Sequence, residues 1–344
     1  MKKVQDMRTA NSPAGSITDV AGLMVGHFTD TRRPTGCTVI ITPDGSVAGV
    51  DVRGAAPGTR ETDLLHPSNL VDRVHAIVLA GGSAWGLDAA SGVMQWLEEQ
   101  QIGLPVGFGL VPIVPAAVLF DLPVGNARIR PDAQAGYAAC VAASRQRPLE
   151  GNVGAGAGAL VGKIFGLRRA MKGGIGSASM TVNGITVGAI IACNALGDII
   201  NPATGLLLAG ARTADGAAMV DSRAALIAGD SPKPVMAGTN TTIGVIATDV
   251  VLTKAQAHRL ALVAHDGLAR SINPVHTLSD GDTLFALGTG KAGKPADMML
   301  LSTLAAEVTA MAVVRAVMAA SGITCDGLHW PSATDLRPTS TSAP

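Results

Sequence analysis

Short runs of mostly apolar residues, bounded by turn-forming residues, recur along the chain and are separated by helical patterns. Runs of this kind predict strands that are buried on both faces of a sheet. The strands are predicted at residues 37–42, 47–53, 75–80, 112–120, 177–182, 186–194, 242–248 and 283–288. Helical patterns cover residues 83–101, 131–145, 254–272 and 297–321. Helices and strands mixed in this order predict an α/β or α+β layered fold.

The core of this fold must be built from small and medium apolar side chains. Hydrophobic residues make up 47% of the sequence but aromatic residues only 3%, so that Ala, Val, Ile, Leu and Met must fill it. The 42 glycines have no three-residue period, which excludes collagen, and they indicate tight turns and close backbone packing. One such turn is a two-residue hairpin predicted at Asn183-Gly184.

The charge balance argues against large charged partners. Lys and Arg total 26, Asp and Glu also total 26, and no long run of either sign occurs. A neutral chain without a basic stripe is a poor match for nucleic acid or an anionic membrane surface. We therefore expect no nucleic acid and no membrane as partners, but small molecules and further copies of the chain.

The cysteines and the first residues predict a cytoplasmic protein with reduced thiols. The four cysteines form no C-x-x-C pair, and no apolar segment follows the lysines near the start. No metal site is predicted, because the seven histidines form no H-E-x-x-H pattern; His258 and His265 lie seven residues apart on one predicted helix. Gly81-Gly82-Ser83 before a helix can bind an anion, although a tight strand-to-helix turn explains it equally well. No cofactor is predicted.

A compositional break precedes one of the predicted strands. Residues 222–238 are polar and twice interrupted by proline, which predicts an exposed, irregular linker. Directly after them, AGTNTTIGVIATD leads through small residues into a buried strand that begins at Thr241. This is the layout of a self-cleavage site, and it is also the layout of an ordinary loop that enters a strand.

Six segments carry a family resemblance. They are AGGSAWGLDAASGVMQWLEE (80–99), VPIVPAAVLFDLPVG (111–125), GNVGAGAGALVGK (151–163), GGIGSASMTVNGITVGAIIACNALGDIINPATG (173–205), NTTIGVIATD (240–249) and HTLSDGDTLFALGTG (276–290). Together they resemble the L-aminopeptidase/D-esterase family, which includes β-peptidyl aminopeptidases and nylon-oligomer hydrolases, over about residues 15–322. The resemblance implies an αββα sandwich of the N-terminal-nucleophile type. It also implies a single hydrolase domain, residues 1–344, cut once into fragments 1–240 and 241–344.

The resemblance implies cleavage between Asn240 and Thr241, with Thr241 as the catalytic nucleophile. A threonine hydroxyl is a weak nucleophile, but a free α-amine on the same residue can take its proton. Such an amine titrates near pH ~8, so much of it is neutral at physiological pH. From the residues alone, Thr241 and Thr242 can equally be β-forming residues at a strand start.

Two further residues match the active site of the family. Lys163 follows a run of small residues, and a cation there would lower the pKa of the Thr241 amine. Asn194 ends a predicted strand, and its side-chain amide can donate to the oxyanion, an interaction worth about 3 kcal/mol in comparable sites. From the residues alone, Lys163 can equally be a surface lysine at a strand end, and Asn194 can equally be a capping or turn residue.

Two carboxylates complete the predicted site. Asp280 and Asp282 flank Gly281, and alternate residues of an extended segment point to the same side. The resemblance to nylon-oligomer hydrolases implies a chain from Asp282 through Asp280 to the region of Thr241. Two carboxylates in one turn can also bind a cation or cap the turn.

At one position the sequence departs from the family. β-Peptidyl aminopeptidases and some of their relatives have a tyrosine that contacts the reacting centre, whereas this chain has Phe120 there. Phenylalanine has no hydroxyl to donate. Asn194 and backbone amides must then stabilise the oxyanion, and a β-peptidase preference does not carry over directly.

The resemblance thus implies an amide hydrolase or aminopeptidase acting on small peptides, amino-acid amides or ω-amino-acid oligomers through an acyl-threonine intermediate. One alternative is an acyltransferase of the ornithine acetyltransferase type, which uses the same intermediate with an amine acceptor. Turnover of acetylornithine with glutamate would reveal that activity. Another is a non-enzymatic binding protein, which would remain uncut on a denaturing gel.

The predicted helix at residues 297–321 bears on assembly. It is apolar on nearly every face, so several of its sides must be buried. Glu307 and Arg315 interrupt it and argue against a membrane span. We predict that it packs against another subunit in a closed homo-oligomer, with a tetramer favoured. Burial inside one protomer is the alternative.

Overall fold

The structure, a computed structural model, describes residues 15–233 and 238–336. Five α-helices lie in these ranges: α1 (Ala89–Glu99), α2 (Ala133–Val141), α3 (Ser222–Ile227), α4 (Lys254–Ser271) and α5 (Met298–Met318). Single turns of 3₁₀ helix lie at Ile17–Asp19, Asp63–Leu65, Gly154–Gly156 and Leu167–Arg169, and a longer one at Ser83–Asp88.

The strands of the same ranges are β1 (Met24–Thr29), β2 (Gly36–Val52), β3 (Thr59–Arg60), β4 (Arg73–Ala80), β5 (Leu104–Pro105), β6 (Leu110–Val111), β7 (Ala116–Val118), β8 (Leu160–Val161), β9 (Met171–Lys172), β10 (Gly174–Val182), β11 (Ile185–Asn194), β12 (Asp198–Ile200), β13 (Leu207–Ala209), β14 (Thr241–Thr248), β15 (Ile272–Asn273), β16 (Thr283–Gly288), β17 (Ile323–Cys325) and β18 (Leu328–Trp330).

The long strand β2 joins two halves of one mixed sheet. The order is β10-β11-β14-β16-β2-β4-β7-β3, and β1 also pairs with β2. The first part of β2 pairs with β1 and β4, whereas its second part pairs mainly with β16. The pairing of β2 with β4 shifts register between Ile41 and Ser46. The halves β11-β14-β16 and β2-β4-β7 share one buried apolar core.

Helices cover the outer face of each half. α4 and α5 pack on β10, β11 and β16, and α1 and α2 pack on the other half around β2 and β4. Each of these cores consists largely of Ala, Val, Ile and Leu, as the scarcity of aromatic residues requires. The layers are therefore helix, sheet, sheet and helix. This confirms the predicted αββα sandwich.

Strand β14 lies at the centre of its half and is buried along its whole length. It runs antiparallel to β11 and parallel to β16, with Asn194 opposite Thr241 and Ile243 opposite Thr283. The end of β11 and the starts of β14 and β16 therefore meet at one edge of the sheet. The first and the last of these segments, at Asn194 and Thr283, lie 89 residues apart in the sequence.

Several predicted boundaries were wrong for identifiable reasons. The strands predicted at 37–42 and 47–53 are one continuous strand, β2. The strand predicted at 112–120 shrinks to β7, because Pro112 and Pro115 have no backbone N–H for a ladder. The helix predicted at 83–101 begins as a 3₁₀ segment, Ser83–Asp88, before α1.

Two turn predictions had different outcomes. The Asn183-Gly184 hairpin is confirmed, since both residues have positive φ, 53° and 68°, as a type I′ turn requires. The linker predicted at 222–238 is not irregular throughout, because Asp221 caps the short helix α3 by accepting from Ala224 N. Part of that linker, residues 234–237, lies outside the described residues.

Helix α5 is buried mainly within its own protomer. It packs on β10, β11 and α4, and Asp297 caps its start by accepting from the amides of Met299 and Leu300. By length and composition alone α5 could cross a membrane. In the structure, however, 61% of an apolar 18-residue stretch of this helix is buried. This burial removes most of the apolar surface on which the subunit contact was predicted. The tetramer stays a prediction.

Candidate active site

The Asn240–Thr241 peptide bond is buried at the edge where β14 begins. Asn240 and Thr241 are 0% and 2% exposed. Thr241 Oγ1 donates a hydrogen bond to the Asn240 carbonyl oxygen at 2.5 Å, and Gly281 N donates to the same oxygen at 2.8 Å. The hydroxyl therefore lies against the carbonyl group that it would attack, and a backbone donor already faces the oxygen on which negative charge would develop.

Asn194 sits opposite Thr241 at the end of β11. Its Oδ1 accepts from Leu160 N at 3.0 Å, and its Nδ2 donates to Phe120 O at 3.2 Å. The first contact fixes the side chain on the start of β8. The second is at the long end of normal N–H···O distances.

Lys163 is buried, which rules out the surface lysine considered from the sequence. Its Nζ donates to Asn194 O at 2.9 Å and to Thr239 O at 3.1 Å. The lysine thus connects the end of β11 to the segment just before the candidate cleavage site. Burial lowers the pKa of Lys163 to about 7, and the nearby Asp280 carboxylate acts against that shift.

The two predicted carboxylates lie beside the same bond, but their contacts differ from the predicted chain. Asp282 Oδ1 accepts from Thr242 N at 2.7 Å, whereas Asp280 Oδ2 accepts from Thr277 N at 2.7 Å. Within the described residues, no hydrogen bond joins the two carboxylates or links Asp280 to the Thr241 hydroxyl. Burial, followed by the charge of Asp282, raises the pKa of Asp280 to about 6. The backbone of this turn, rather than its carboxylates, contacts Asn240.

His276 belongs to this cluster and was not singled out from the sequence. Its Nδ1 lies 2.8 Å from Asp282 Oδ2, and its ring makes an edge contact with His265 at 4.8 Å between centroids. Because the carboxylate accepts, Nδ1 carries the proton, and His276 thereby orients Asp282. The residue opens the HTLSDGD motif, but its proximity to Asp282 depends on a positive φ of 55° that no sequence pattern predicted.

Two cavities flank the candidate cleavage site. The larger, about 740 Å³, is lined by Asn240, Asn194 and Lys163 among others. The smaller, about 280 Å³, is lined by Thr241 together with residues near Ala56 and Ser83. Phe120 lines both cavities, and it stands at the position where some relatives are expected to have a tyrosine.

The Gly81-Gly82-Ser83 turn binds a side chain of the protein itself. Gly82 N donates to Asp121 Oδ1 at 2.8 Å, and a Cβ on Gly81 would lie 2.2 Å from the other carboxylate oxygen. Asp121 is further held by the Arg33 guanidinium at 2.8 Å. The turn is therefore occupied by this carboxylate. Across the described residues, no three His, Cys, Asp or Glu side chains are grouped to hold a metal.

A comparison with known protein families identifies the family to which this αββα sandwich belongs. The profile of peptidase family S58 matches residues 15–329. The chain belongs to peptidase family S58. It is accordingly an enzyme that acts on amide or peptide bonds.

The relatives of this S58 enzyme include aminopeptidases and oligomer hydrolases. An uncharacterized aminopeptidase of Mycobacterium tuberculosis is 47% identical over 318 residues, which is 88% of this chain and 90% of the relative. A 6-aminohexanoate-oligomer endohydrolase of Kocuria sp. is 33% identical over 279 residues, which is 80% of this chain and 76% of the relative.

Solved structures share the fold. A beta-aminopeptidase of Burkholderia sp. superposes with a TM-score of 0.68 at 21% identity, covering 96% of each chain. The L-aminopeptidase D-Ala-esterase/amidase of Ochrobactrum anthropi, described as a variant of the Ntn hydrolase fold, gives a TM-score of 0.69 at 21% identity. The latter covers 94% of this chain and 93% of its own.

Gly281 gives this S58 enzyme a first testable prediction. A Cβ at this position would lie 2.6 Å from Ala56 O and 3.1 Å from Thr241 Oγ1, so Gly281→Ala must displace the turn that donates to Asn240 O. We expect self-cleavage to slow by about tenfold or more, because small displacements of reacting groups have large effects on rate. The uncut fraction on a denaturing gel over time measures this. Gly109→Ala is the control, since nothing lies within 4 Å of its Cβ; equal rates for both variants would contradict the role of Gly281.

The lowered pKa of Lys163 gives a second prediction, about stability. Between pH 7 and about 10 the unfolded chain holds a proton on Lys163 that the folded chain has released, so the free energy of unfolding rises with pH. The test uses the Thr241→Ala protein, which stays uncut. In that protein, Lys163→Met should reduce the slope of the free energy of unfolding against pH by up to ~1.4 kcal/mol per pH unit. Urea unfolding at several pH values tests it. Parallel curves for the two proteins would mean that Lys163 titrates near its ordinary pKa.

Proposed function

We propose that the enzyme cuts itself once between Asn240 and Thr241 and then hydrolyses small amides through an ester on Thr241. The observation that carries this proposal is the 2.5 Å contact between Thr241 Oγ1 and the Asn240 carbonyl oxygen, with Gly281 N on the same oxygen. A hydroxyl so placed has little distance to cover before it meets the carbonyl carbon. Gly281 N, which stays on that oxygen while the hydroxyl attacks, favours negative charge there.

Self-cleavage proceeds in two steps in this proposal. The Thr241 hydroxyl attacks the Asn240 carbonyl carbon; a carbon–oxygen bond forms, the carbon–nitrogen bond breaks, and the hydroxyl proton passes to the departing nitrogen. Water then hydrolyses the ester, leaving a carboxylate on Asn240 and a free amine on Thr241. Gly281 N stabilises the oxyanion of the first step, since it already donates to that oxygen.

In the cut enzyme, the new amine is the base that activates Thr241 Oγ1 toward a substrate amide. Lys163 Nζ is held on the carbonyls of Asn194 and Thr239 and lowers the pKa of this amine while it keeps its own proton, which burial makes it lose near pH 7. Asp282, bonded to Thr242 N and steadied by His276, holds the start of β14 in place. Asn194 Nδ2 leaves Phe120 O and donates to the substrate oxyanion. The reaction needs no cofactor.

The names of the relatives point to small peptides, amino-acid amides or ω-amino-acid oligomers as substrates. The larger cavity, about 740 Å³, has the size of a small-molecule site. We further propose that the cut enzyme works in the cytoplasm as a homo-oligomer, with a tetramer favoured.

Trapping the acyl-enzyme tests the hydrolase proposal. Cut protein is mixed with an acyl 4-nitroanilide, quenched in acid and analysed by mass spectrometry. We expect the fragment that begins at Thr241 to gain the mass of the acyl group, with the modification on Thr241 itself. Turnover with an acyl group trapped on another residue would contradict the assignment of the nucleophile.

A further inference from the structure

A lysine that the proposed function does not use lies fully buried beside the candidate active site. Lys172 belongs to the short strand β9 and is 0% exposed. Its Nζ donates to three backbone carbonyls, those of Gly156 and Ala159 at 2.9 Å and that of Gly173 at 3.0 Å. A lysine ammonium has three N–H donors, and here each has an acceptor. Among the described residues no carboxylate forms an ion pair with Lys172, so backbone oxygens hold its charge.

One of these carbonyls belongs to the peptide group that orients Asn194. The Ala159 oxygen and the Leu160 N–H are the two ends of a single peptide group. The oxygen accepts from Lys172 Nζ and from Gly173 N, both at 2.9 Å. The N–H donates to Asn194 Oδ1 at 3.0 Å. The ammonium, the peptide group and the side-chain amide therefore form one hydrogen-bonded chain.

A hydrogen-bonded chain of this kind transmits polarisation from one end to the other. A cation on a carbonyl oxygen draws electrons from the peptide group, which makes the N–H at its far end a stronger donor. The same effect then acts on the side-chain amide of Asn194, whose oxygen accepts from that N–H and whose Nδ2 donates. The proposed function assigns this Nδ2 to the substrate oxyanion, where a stronger donor stabilises the transition state.

Close packing keeps this peptide group in place. A Cβ on Gly173 would lie 2.3 Å from Cys193 O and 3.1 Å from the peptide oxygen, so the peptide group packs closely beside the strand that ends at Asn194. From another direction, Lys163 Nζ donates to the main-chain oxygen of Asn194. Two buried lysines thus act on one residue, Lys163 on its backbone and Lys172 on its side chain through the peptide group.

The charge of Lys172 changes near neutral pH. Burial lowers the pKa of Lys172 to about 7, whereas Asp121 and Cys193 act against that shift. Asp121 is paired with the Arg33 guanidinium at 2.8 Å, and burial raises the pKa of the Cys193 thiol to about 12. The ammonium is therefore present below about pH 7 and is lost above it.

We propose that Lys172 is a positioning residue for substrate hydrolysis: through the peptide group between Ala159 and Leu160, it holds the Asn194 side chain and strengthens Nδ2 as the oxyanion donor. The inference rests on the proposed function, because it assumes that Asn194 stabilises the substrate oxyanion. It does not extend to self-cleavage, since Gly281 N donates to the oxygen that reacts there. A lysine that only closed a turn would affect both reactions alike.

Lys172→Met removes the charge and keeps a side chain of similar length. We expect this variant to cut itself at the wild-type rate. On cut protein, kcat for alanyl 4-nitroanilide should fall by about tenfold, with KM within about threefold. Denaturing gels over time and steady-state kinetics on the same preparation measure the two reactions.

Lys254→Met is the matched control. Lys254 Nζ also donates to three backbone carbonyls, and the residues that carry them line neither of the two cavities. They are Leu64, Asn69 and Val71. The control should lower the melting temperature, because three carbonyls lose their donor, and keep kcat within about twofold of the wild type.

A double-mutant cycle with Asn194→Ala locates the effect of Lys172. Once residue 194 is alanine, Lys172→Met should change kcat by less than about twofold. Equal losses in both backgrounds, or self-cleavage that slows as much as kcat falls, would overturn the inference while the hydrolase function stands. If Asn194→Ala keeps the wild-type kcat, the proposed oxyanion donor is wrong, and the inference fails with it.

A pH series on proteins that retain Lys172 decides the matter if Lys172→Met does not fold. The ratio of kcat between the wild type and Asn194→Ala cancels groups that act equally in both, such as the Thr241 amine and Lys163 on the main-chain oxygen. We expect this ratio to fall severalfold between about pH 6 and about pH 9, as Lys172 loses its proton. A constant ratio would overturn the inference, because the donor strength of Asn194 would then not depend on the charge of Lys172.

Discussion

Thr241→Ala should remain a single uncut chain and show no amide hydrolysis above background. The variant lacks the oxygen that lies 2.5 Å from the Asn240 carbonyl oxygen, and no other hydroxyl in the described structure donates to that carbonyl. Both the self-cleavage and the later acyl transfer are assigned to this atom, so both should be lost together. A denaturing gel and an amide assay on the same preparation measure the two effects.

Two neighbouring variants make this test specific. Thr241→Ser keeps the attacking oxygen and should still be cut. Thr242→Ala removes the next buried hydroxyl along β14 and should be cut as well, because that side chain faces Cys193, its partner residue on β11, and not the Asn240 carbonyl. If Thr241→Ala were cut at the same bond, another group would be the internal nucleophile.

Asn194→Ala should fold and be cut, yet lose about 10²-fold or more in kcat, the effect of removing one oxyanion donor from a comparable site. Alanine also leaves Leu160 N and Phe120 O without their partner. Asn194→Asp separates these effects, since its carboxylate still accepts from Leu160 N but has no N–H to donate. Steady-state kinetics on cut protein measures both variants.

The two variants of Asn194 distinguish the loss of the N–H donor from the loss of the contact with Leu160 N. If both lose kcat to a similar extent, the N–H donor is responsible. If Asn194→Asp retains most of the wild-type kcat, the residue only holds the start of β8 at Leu160. Thermal melts of both proteins check that the loss in kcat is not a loss of folded enzyme.

The layered fold could be predicted because its strands are continuous apolar runs. Strands such as β11 and β14 are buried on both faces, and so their sequences alone mark them as central. Boundaries near prolines and 3₁₀ turns were harder, because one missing N–H or one tight turn ends a strand or delays a helix without changing the hydrophobic pattern. For helix α5 the sequence predicted burial but not the neighbour that buries it, because an apolar surface can pack equally well on its own protomer or on another subunit.

The candidate site was predicted as a set of residues and not as a set of contacts. Asn194 and Thr241 come together because β11 ends opposite the start of β14, a pairing that local sequence does not encode. Whether Asp280 or Asp282 contacts β14 depends on turn geometry, and the structure places Asp282 on the backbone there. His276 was missed because its link to Asp282 needs a left-handed backbone, which is uncommon for residues other than glycine.

Intact-mass analysis of purified protein, with N-terminal sequencing of each fragment, tests the central claim most directly. We predict two fragments of roughly 24 and 10 kDa, in proportion to 240 and 104 of the 344 residues of the 34.6 kDa chain, the smaller beginning with a free Thr241 amine. The two masses should sum to that of the chain plus one water. An active preparation that retains one mass of 34.6 kDa, or that is cut at another bond, would contradict the assignment of Thr241.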